Sequence, residues 1–316
     1  MRIVIPGGSG QVGTALAKAF VADGHDVVVL GRSPKQAEWR TVKWDGKTLD
    51  DWATEIDGAD VVINLAGRSV NCRYNEANRR EIMESRIDST RVVGEAISKA
   101  ANPPKVWLQS STATIYAHSF DRENDDVTGV IGGHEPDAPD TWNFSIDVAT
   151  NWERVTEEAP TPETRKVLMR SAMTMGPARG GIFDTMLGIV RFGLGGTAAS
   201  GRQYISWIHE NDFIRSVYWL IEHEELSGPI NIASQHPLPN REFMRIFREA
   251  WGTSIGLPAF EWQLAMGAFF MRTETELILK SRRVVPKLLT DSGFEFEYPT
   301  WPEACRDLCE RWRKEN

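Results

Sequence analysis

Cysteine is scarce in this 316-residue chain, with Cys72, Cys305 and Cys309 the only three. That number excludes a disulfide framework, and none has companions at a metal-ligand spacing, so no metal site is expected. Cys305 and Cys309 lie four apart in a late helical pattern and are expected to share one buried face. An excess of basic charge is lacking too. The 36 Lys and Arg residues against 44 Asp and Glu leave a net charge of −8, which argues against nucleic acid as a partner. Long hydrophobic runs are missing: Trp262 to Met271 is too short to span a bilayer and charges follow it. The first strand-like run begins at residue 2, leaving no room for a signal peptide. A soluble, cytoplasmic protein without membrane association is expected.

What is present begins at once. MRIVIPGGSGQVGTALAKAF reads as a short apolar strand from Arg2 to Pro6, a glycine turn and an amphipathic helix. Gly7, Gly10 and Gly13 stand in a G-x-x-G-x-x-G spacing around Gln11 and Val12. Such a turn brings backbone amides up to a pyrophosphate at the helix N-terminus, where the helix dipole favours negative charge. A glycine turn alone is weak evidence. Its place between a strand and a helix, with a second strand at Asp26 to Leu30, gives it weight.

Further strand-like runs follow at Val61 to Leu65, Val106 to Ser110 and Val167 to Arg170. Helical patterns occupy Thr14 to Ala22, Asn75 to Ala101 and Ser145 to Glu158. This alternation predicts an α/β fold, a Rossmann-type doubly wound parallel sheet with helices on both faces. Residues 1–176 are expected to form the nucleotide-binding domain, with 200–232 returning to it. Residues 177–316 are expected to form a smaller C-terminal α/β substrate domain that covers the carboxyl edge of the sheet and ends in a helix from Trp301 to Arg313. Ligands of open α/β sheets bind at that edge.

These residues resemble the extended short-chain dehydrogenase/reductase superfamily, the group of nucleotide-sugar epimerases and dehydratases. Gly7 to Gly13 matches its fingerprint, Asn64-Leu65-Ala66-Gly67 its fourth-strand motif, and Ser110 to Tyr116 the end of its fifth strand. A narrower resemblance spans nearly the whole chain. Met169-Arg170-Ser171, Gly193-Leu194-Gly195-Gly196, GRQYISWIHENDF from Gly201 to Phe213, and the tail from Leu279 to Pro299 are similar to the branch called epimerase family proteins. That branch carries a C-terminal domain of unknown function, within about 260–310 here. The resemblance implies a nicotinamide dinucleotide and, by name only, sugar epimerisation.

Gly31-Arg32-Ser33 ends the second strand, and nothing acidic lies between Val27 and Ala37. An acidic residue there would select NAD, whereas Arg32 and Ser33 suit a 2′-phosphate, so NADP(H) is preferred. A solvated arginine is the plainer alternative. Leu65 and Ala66 would offer backbone beside the ribose and pyrophosphate, and Gly67 would keep the path open. Arg86, in the long helix, stands where the superfamily usually has asparagine and this branch has arginine. It would contact phosphate or ribose, steadied by Glu81, or simply be solvated.

Catalysis in the superfamily uses a tyrosine, a lysine four residues later on the same helix face, and a fifth-strand hydroxyl. Thr112 fits the hydroxyl position, or merely finishes a strand. The helix that should carry the other two reads NFSIDVATNWE, which puts Phe144 at the tyrosine position and Val148 at the lysine position. Five tyrosines are present, at 74, 116, 204, 218 and 298, and none is followed by lysine at i+4. The dyad is absent.

Possible substitutes are few. Tyr116, four residues beyond Thr112, would be an acid/base or a core aromatic. His118 titrates in a useful range, and His209 reads as a hydrogen-bonded core residue. Asp212 is expected to cap a helix running from Phe213 to Glu222. Ser145 and Asp147 flank the lost positions, while Asn231 and Ser234 read as turn residues. Arg202 and Gln203 resemble the place where epimerases hold a diphosphate, and Lys280 to Arg283 reads as a basic helix face. Two functions stay open: an NADP(H)-dependent oxidoreductase or epimerase with unusual proton transfer, and a non-catalytic NADP(H)-binding regulatory protein. Some relatives of the branch are linked to plastid and cyanobacterial division. The substrate is a small molecule of unknown identity, and a homodimer is common among relatives.

Overall fold

Alternate residues of the first strands serve two different cores, which is how one sheet comes to be covered on both sides. Ile3, Ile5, Val27 and Val29 pack with Leu16, Phe20, Phe213 and Val217 on one face. Val4, Val28, Leu30 and Val62 pack with Val92, Val93, Ile97 and Trp107 on the other. The protein is described by a computed structural model covering residues 1–34, 36–133, 135, 138–263, 274 and 276–316. The Trp262 to Met271 run lies outside the described residues beyond 263.

The helices and strands run β1 (Arg2–Pro6), α1 (Gln11–Ala22), β2 (Asp26–Gly31), β3 (Arg40–Lys43), β4 (Val61–Asn64), α2 (Glu76–Lys99), β5 (Val106–Thr112), α3 (Asp140–Glu158) and β6 (Arg165–Ser171). There follow β7 (Met173–Met175), α4 (Ile182–Arg191), β8 (Tyr204–Ile205), β9 (Trp207–His209), α5 (Glu210–Glu222), β10 (Gly228–Ile232), β11 (Leu238–Pro239), α6 (Asn240–Trp251), two short helical turns at Glu276–Leu279 and Lys287–Asp291, and α7 (Trp301–Glu315). Seven strands form one parallel sheet in the order β10-β6-β5-β4-β1-β2-β3. The sheet is Rossmann-like and doubly wound, as its alternating sequence predicts. The order changes direction next to β1, so its carboxyl end lies at a switch point where ligands bind.

β3 has no apolar alternation to announce it, because it is a half-exposed edge strand. The helix expected from Phe213 starts at Glu210, and its cap is His209, whose Nδ1 accepts from the Asn211 amide at 3.0 Å. Asp212 instead accepts from the Glu297 and Tyr298 amides at 2.7 and 2.9 Å, pinning the segment that precedes α7.

A separate apolar cluster joins α4, α6 and α7 through Phe183, Leu187, Phe243, Phe247 and Trp301. Phe243 and Trp301 stack with centroids 4.0 Å apart. Cys305 and Cys309 are buried in this cluster as free thiols. Beyond it, the chain from 276 to 285 lies against the turn after β5. There the Lys280 Nζ donates to the Thr114 carbonyl at 2.8 Å, and Asn124 and Val284 form a parallel bridge. Among the described residues no helix is long and apolar enough to cross a membrane.

Candidate functional site

The glycine turn is built by close approach of main chains. Gly7 has φ of +74°, and a Cβ there would lie 2.5 Å from the Ala66 Cα, so the turn and the loop after β4 touch. A Cβ on Gly13 would meet the Gly8 Cα at 2.5 Å, which seats α1 directly on the turn. Gly10 is different: a Cβ there would meet nothing within 4 Å, so its surface faces open space. α1 begins at Gln11 with no capping side chain, and its first amides are left for a ligand. Val12 packs into the core, and the Gln11 side chain lies against Gly176 and Gly181, so both would serve a ligand through their backbone.

The loop after β4 is held from below. The buried Asn64 donates to Gln109 at 2.9 Å and accepts from the Ala66 amide at 3.1 Å, while the Leu65 amide donates to the Pro6 carbonyl at 2.8 Å. Leu65, Ala66 and Gly67 are thereby presented beside the turn. At the other end, Arg32 and Ser33 are exposed beyond β2 and line a depression of about 510 Å³ with Ser9, Lys18 and Gly31. A second depression, of about 870 Å³, shares Arg32 and is walled by Trp44 and Trp52. The donor set fits a dinucleotide: amides for a pyrophosphate, and the exposed Arg32 guanidinium for a ribose phosphate.

Arg86 lies against Gly67, its Cζ 3.2 Å from where a Cβ would be. Its guanidinium sits 5.0 Å from the Trp152 ring centroid and donates to the Ile82 carbonyl at 3.0 Å. Burial pulls its pKa down to about 10. Glu81 does not steady it. Glu81 is turned outward and pairs with Arg68, which also reaches Asn78 at 2.8 Å.

Thr112 ends β5, and its Oγ1 accepts from the Thr114 amide at 3.2 Å. That bond uses a lone pair and leaves the hydroxyl proton free to donate. Tyr116, only 2% exposed, is committed elsewhere. Its hydroxyl donates to Asn231 Oδ1 at 2.9 Å and accepts from Arg170 at 3.0 Å. Burial raises its pKa. Arg170 in turn makes a two-pronged pair with the buried Glu153, at 2.8 and 2.7 Å, and Ser111 donates to Glu153.

Phe144 and Val148 stand where the dyad was expected, in an apolar patch with Ile82 and Tyr74. The Tyr74 ring meets Phe144 edge-on, with centroids 5.2 Å apart. Around this patch lie charged groups from the far end of the chain. Ser145 Oγ donates to Glu276 Oε2 at 2.5 Å, and Arg282 stands 3.8 Å from the other Glu276 oxygen. Glu276 and Lys280 are each 1% exposed. Burial raises the Glu276 pKa and, with help from Arg282, pulls that of Lys280 down to about 8. Lys280 to Arg283 is therefore no helix face: beyond a short helical turn ending at Leu279, the chain is irregular, with Lys280 and Ser281 buried.

The remaining sequence-based candidates are occupied in the scaffold. His118 Nδ1 accepts from the Ser281 amide at 2.9 Å, its ring stacks on Trp142, and burial lowers its pKa. His209 is fully buried and bonds Asp307 at 3.0 Å. Gln203 gives its amide to the Ala198 and Ile278 carbonyls, Ser234 donates to the Pro299 carbonyl, and Asn231 donates to the Val285 carbonyl. Arg202 is exposed, above the Phe120 ring. Neither Tyr74 nor Glu276 lies at a motif spacing that would mark it in the sequence. The only hint is a glutamate in the apolar stretch ELIL.

A parallel sheet of this order with an amide-lined glycine turn defines a Rossmann-type dinucleotide-binding protein of the short-chain dehydrogenase/reductase kind. The model of the NAD dependent epimerase/dehydratase family matches residues 3–139, and that of a domain of unknown function (DUF1731) matches 258–308. Similar proteins span the chain. The bovine epimerase family protein SDR39U1 is 30% identical, over 98% of this chain and 99% of its own length. The epimerase family protein ML0860 of Mycobacterium leprae is 31% identical, over 96% and 94%. A crystal structure of human epimerase family protein SDR39U1 with NADPH superposes with a TM-score of 0.85 at 29% identity, covering 98% of this chain and 99% of that one. The chain belongs to the NAD dependent epimerase/dehydratase family, in the epimerase-family-protein branch that ends in DUF1731.

Proposed function

We propose that this protein binds NADP(H) along the Gly7–Gly13 turn and acts as an oxidoreductase on a small carbonyl or alcohol substrate. The observation that carries the reading is the uncapped α1 N-terminus beside an open Gly10 surface, with Arg32 at the end of β2 and no acidic residue between Val27 and Ala37. The human relative's structure with NADPH supports the choice of phosphorylated cofactor. In this reading the α1 amides hold the pyrophosphate, Arg32 and Ser33 hold the 2′-phosphate, and Leu65 to Gly67 flank the ribose. Arg86 contacts phosphate or ribose oxygens from α2. Thr112 donates a hydrogen bond to the reacting oxygen. The bound dinucleotide supplies or accepts hydride. Residues 1–176, with the returning 200–232, form the cofactor side, and 177–316 the substrate side.

A non-catalytic NADP(H)-binding role is the second reading, favoured by Phe144 and Val148 standing at the positions of the proton handlers. The test is binding and turnover together. NADPH added to the protein should quench tryptophan fluorescence, and Arg32→Ala should weaken NADPH by about 10- to 100-fold while leaving NADH nearly unchanged. Equal loss for both cofactors would remove the 2′-phosphate role. Tight binding without NADPH oxidation by any carbonyl compound favours regulation.

A further inference from the structure

We propose that Tyr74, held edge-on against Phe144 with Arg86 as its cationic neighbour, is the proton donor that replaces the missing dyad, for reduction of a carbonyl compound to an alcohol. This rests on the hydride-transfer reading above. In a standard site a phenol and an ammonium group are delivered from two turns of one helix. Here the corresponding helix offers Phe144 and Val148, and the phenol arrives from the segment just before α2.

Tyr74 is 8% exposed and tightly placed. Its amide donates to Glu274 Oε1 at 2.8 Å, and its carbonyl accepts from Arg79 Nε at 2.9 Å. The ring packs against Phe144 in a patch with Ile82 and Val148, so it occupies the neighbourhood of the lost tyrosine. Arg86 touches Gly67 on the cradle side, and its charge favours the Tyr74 phenolate, as the lysine's would. Ser145 lies close enough to lower the phenol's pKa and itself donates to the buried Glu276. The groups facing the phenol are therefore Arg86 and Ser145, which favour its ionised form, and Glu276 and Cys72, which oppose it; Arg282 feels the same charge. Burial and Glu276 push the phenol up to about 12, so at neutral pH it carries its proton. It is suited to giving that proton up to an alkoxide, a stronger base, and poorly suited to the reverse.

The step balances. The substrate carbonyl carbon accepts hydride with its electron pair from NADPH, which leaves as NADP⁺. The π pair of the carbonyl moves to oxygen, which takes the Tyr74 proton, and the product is the alcohol. The phenolate stabilised by Arg86 then regains a proton from solvent.

The test measures NADPH binding by tryptophan quenching and NADPH oxidation with two carbonyl probes, 9,10-phenanthrenequinone and 4-nitrobenzaldehyde. Tyr74→Phe keeps the ring and its edge contact. It should bind NADPH within about threefold of the unsubstituted protein and lose about 100-fold or more in turnover, the scale of a lost general acid. A second reading needs no cofactor. With 3,5-difluorotyrosine at position 74, the ¹⁹F resonance of the cofactor-free protein titrates, and Arg86→Gln should move its midpoint upward. Absence of NADPH binding would overturn the cofactor reading and this proposal together. NADPH binding with no oxidation by either probe overturns the proposal together with the oxidoreductase reading, and full turnover in Tyr74→Phe overturns the proposal alone. Joint loss of binding and turnover in Tyr74→Phe marks a structural role and overturns it, as does a ¹⁹F midpoint indifferent to Arg86→Gln.

Discussion

The cradle around Gly7–Gly13 and the cluster around Phe144 lie on the same edge of the sheet but are built in opposite ways. The cradle is made of main chain: a positive φ at Gly7, glycines packed on backbone atoms, and amides at an uncapped helix end. Its parts come from two short stretches, at residues 7–13 and 64–67. The cluster is made of side chains. Tyr74, Ser145, Glu276 and Arg282 are drawn from distant segments, and the Ser145–Glu276 bond alone spans 131 residues. A backbone-built site survives most substitutions that respect its glycines. A side-chain site can be lost or rebuilt one residue at a time.

The comparison breaks most severely at the frame both regions share. Arg170 on β6 and Glu153 on α3 form a buried pair that also orients Tyr116, so Glu153→Ala should cost about 3–5 kcal/mol by leaving the guanidinium unpaired. Urea denaturation followed by circular dichroism reads this, and a loss below about 1 kcal/mol would mean that water replaces the carboxylate. Next in size is Gly7→Val. The left-handed φ and the Ala66 contact predict about 1–3 kcal/mol of strain, with NADPH affinity falling by more than stability does. Calorimetric titration beside a melting curve separates the two, and it sharpens the claim that the cradle is backbone.

A smaller, pH-dependent effect belongs to the scaffold under α5. Protonating His209 at Nδ1 would break its bond from the Asn211 amide, and burial lowers its pKa to about 4, from an ordinary 6.5. The unfolded chain therefore binds the proton first. The contribution of His209 is fully present above pH 6.5 and fades as pH falls toward 4. Urea midpoints measured from pH 7.5 downward should slope less in His209→Gln than in the unsubstituted protein. The smallest effect is expected at Glu81. Its partner Arg68 is at the surface, so Glu81→Ala should change stability by about 1 kcal/mol or less and leave NADPH binding as it was. A loss of NADPH affinity there would return Glu81 to the cofactor site.

Much of the sheet was legible. β1, β2, β4, β5 and β6 are runs buried on both faces, so they appear as continuous apolar stretches with helices between them. β3 was not, because an edge strand needs no apolar face. Asp212 looked like a helix cap by position, but it went to the amides of residues 297 and 298, a choice that exists only once the tail has folded back. Lys280 and Arg282 looked like part of a basic helix face for the same reason. Their burial depends on the turn after β5 and on Glu276, neither of which is adjacent in sequence.

From its residues alone this chain determined the parallel sheet, the glycine turn, the arginine in place of an acid beyond β2, and the absence of Tyr-x-x-x-Lys. Those are local facts: strand burial, backbone freedom and i to i+4 spacing are written within a few neighbouring positions. The tertiary structure alone decided that Tyr116 is tied to Arg170 and Asn231, that Glu81 turns outward, and that Tyr74, Ser145 and Glu276 meet beside Phe144. Hydrogen bonds and buried charges are settled by whichever partners the packed chain brings within about 3 Å, and sequence distance does not set that separation.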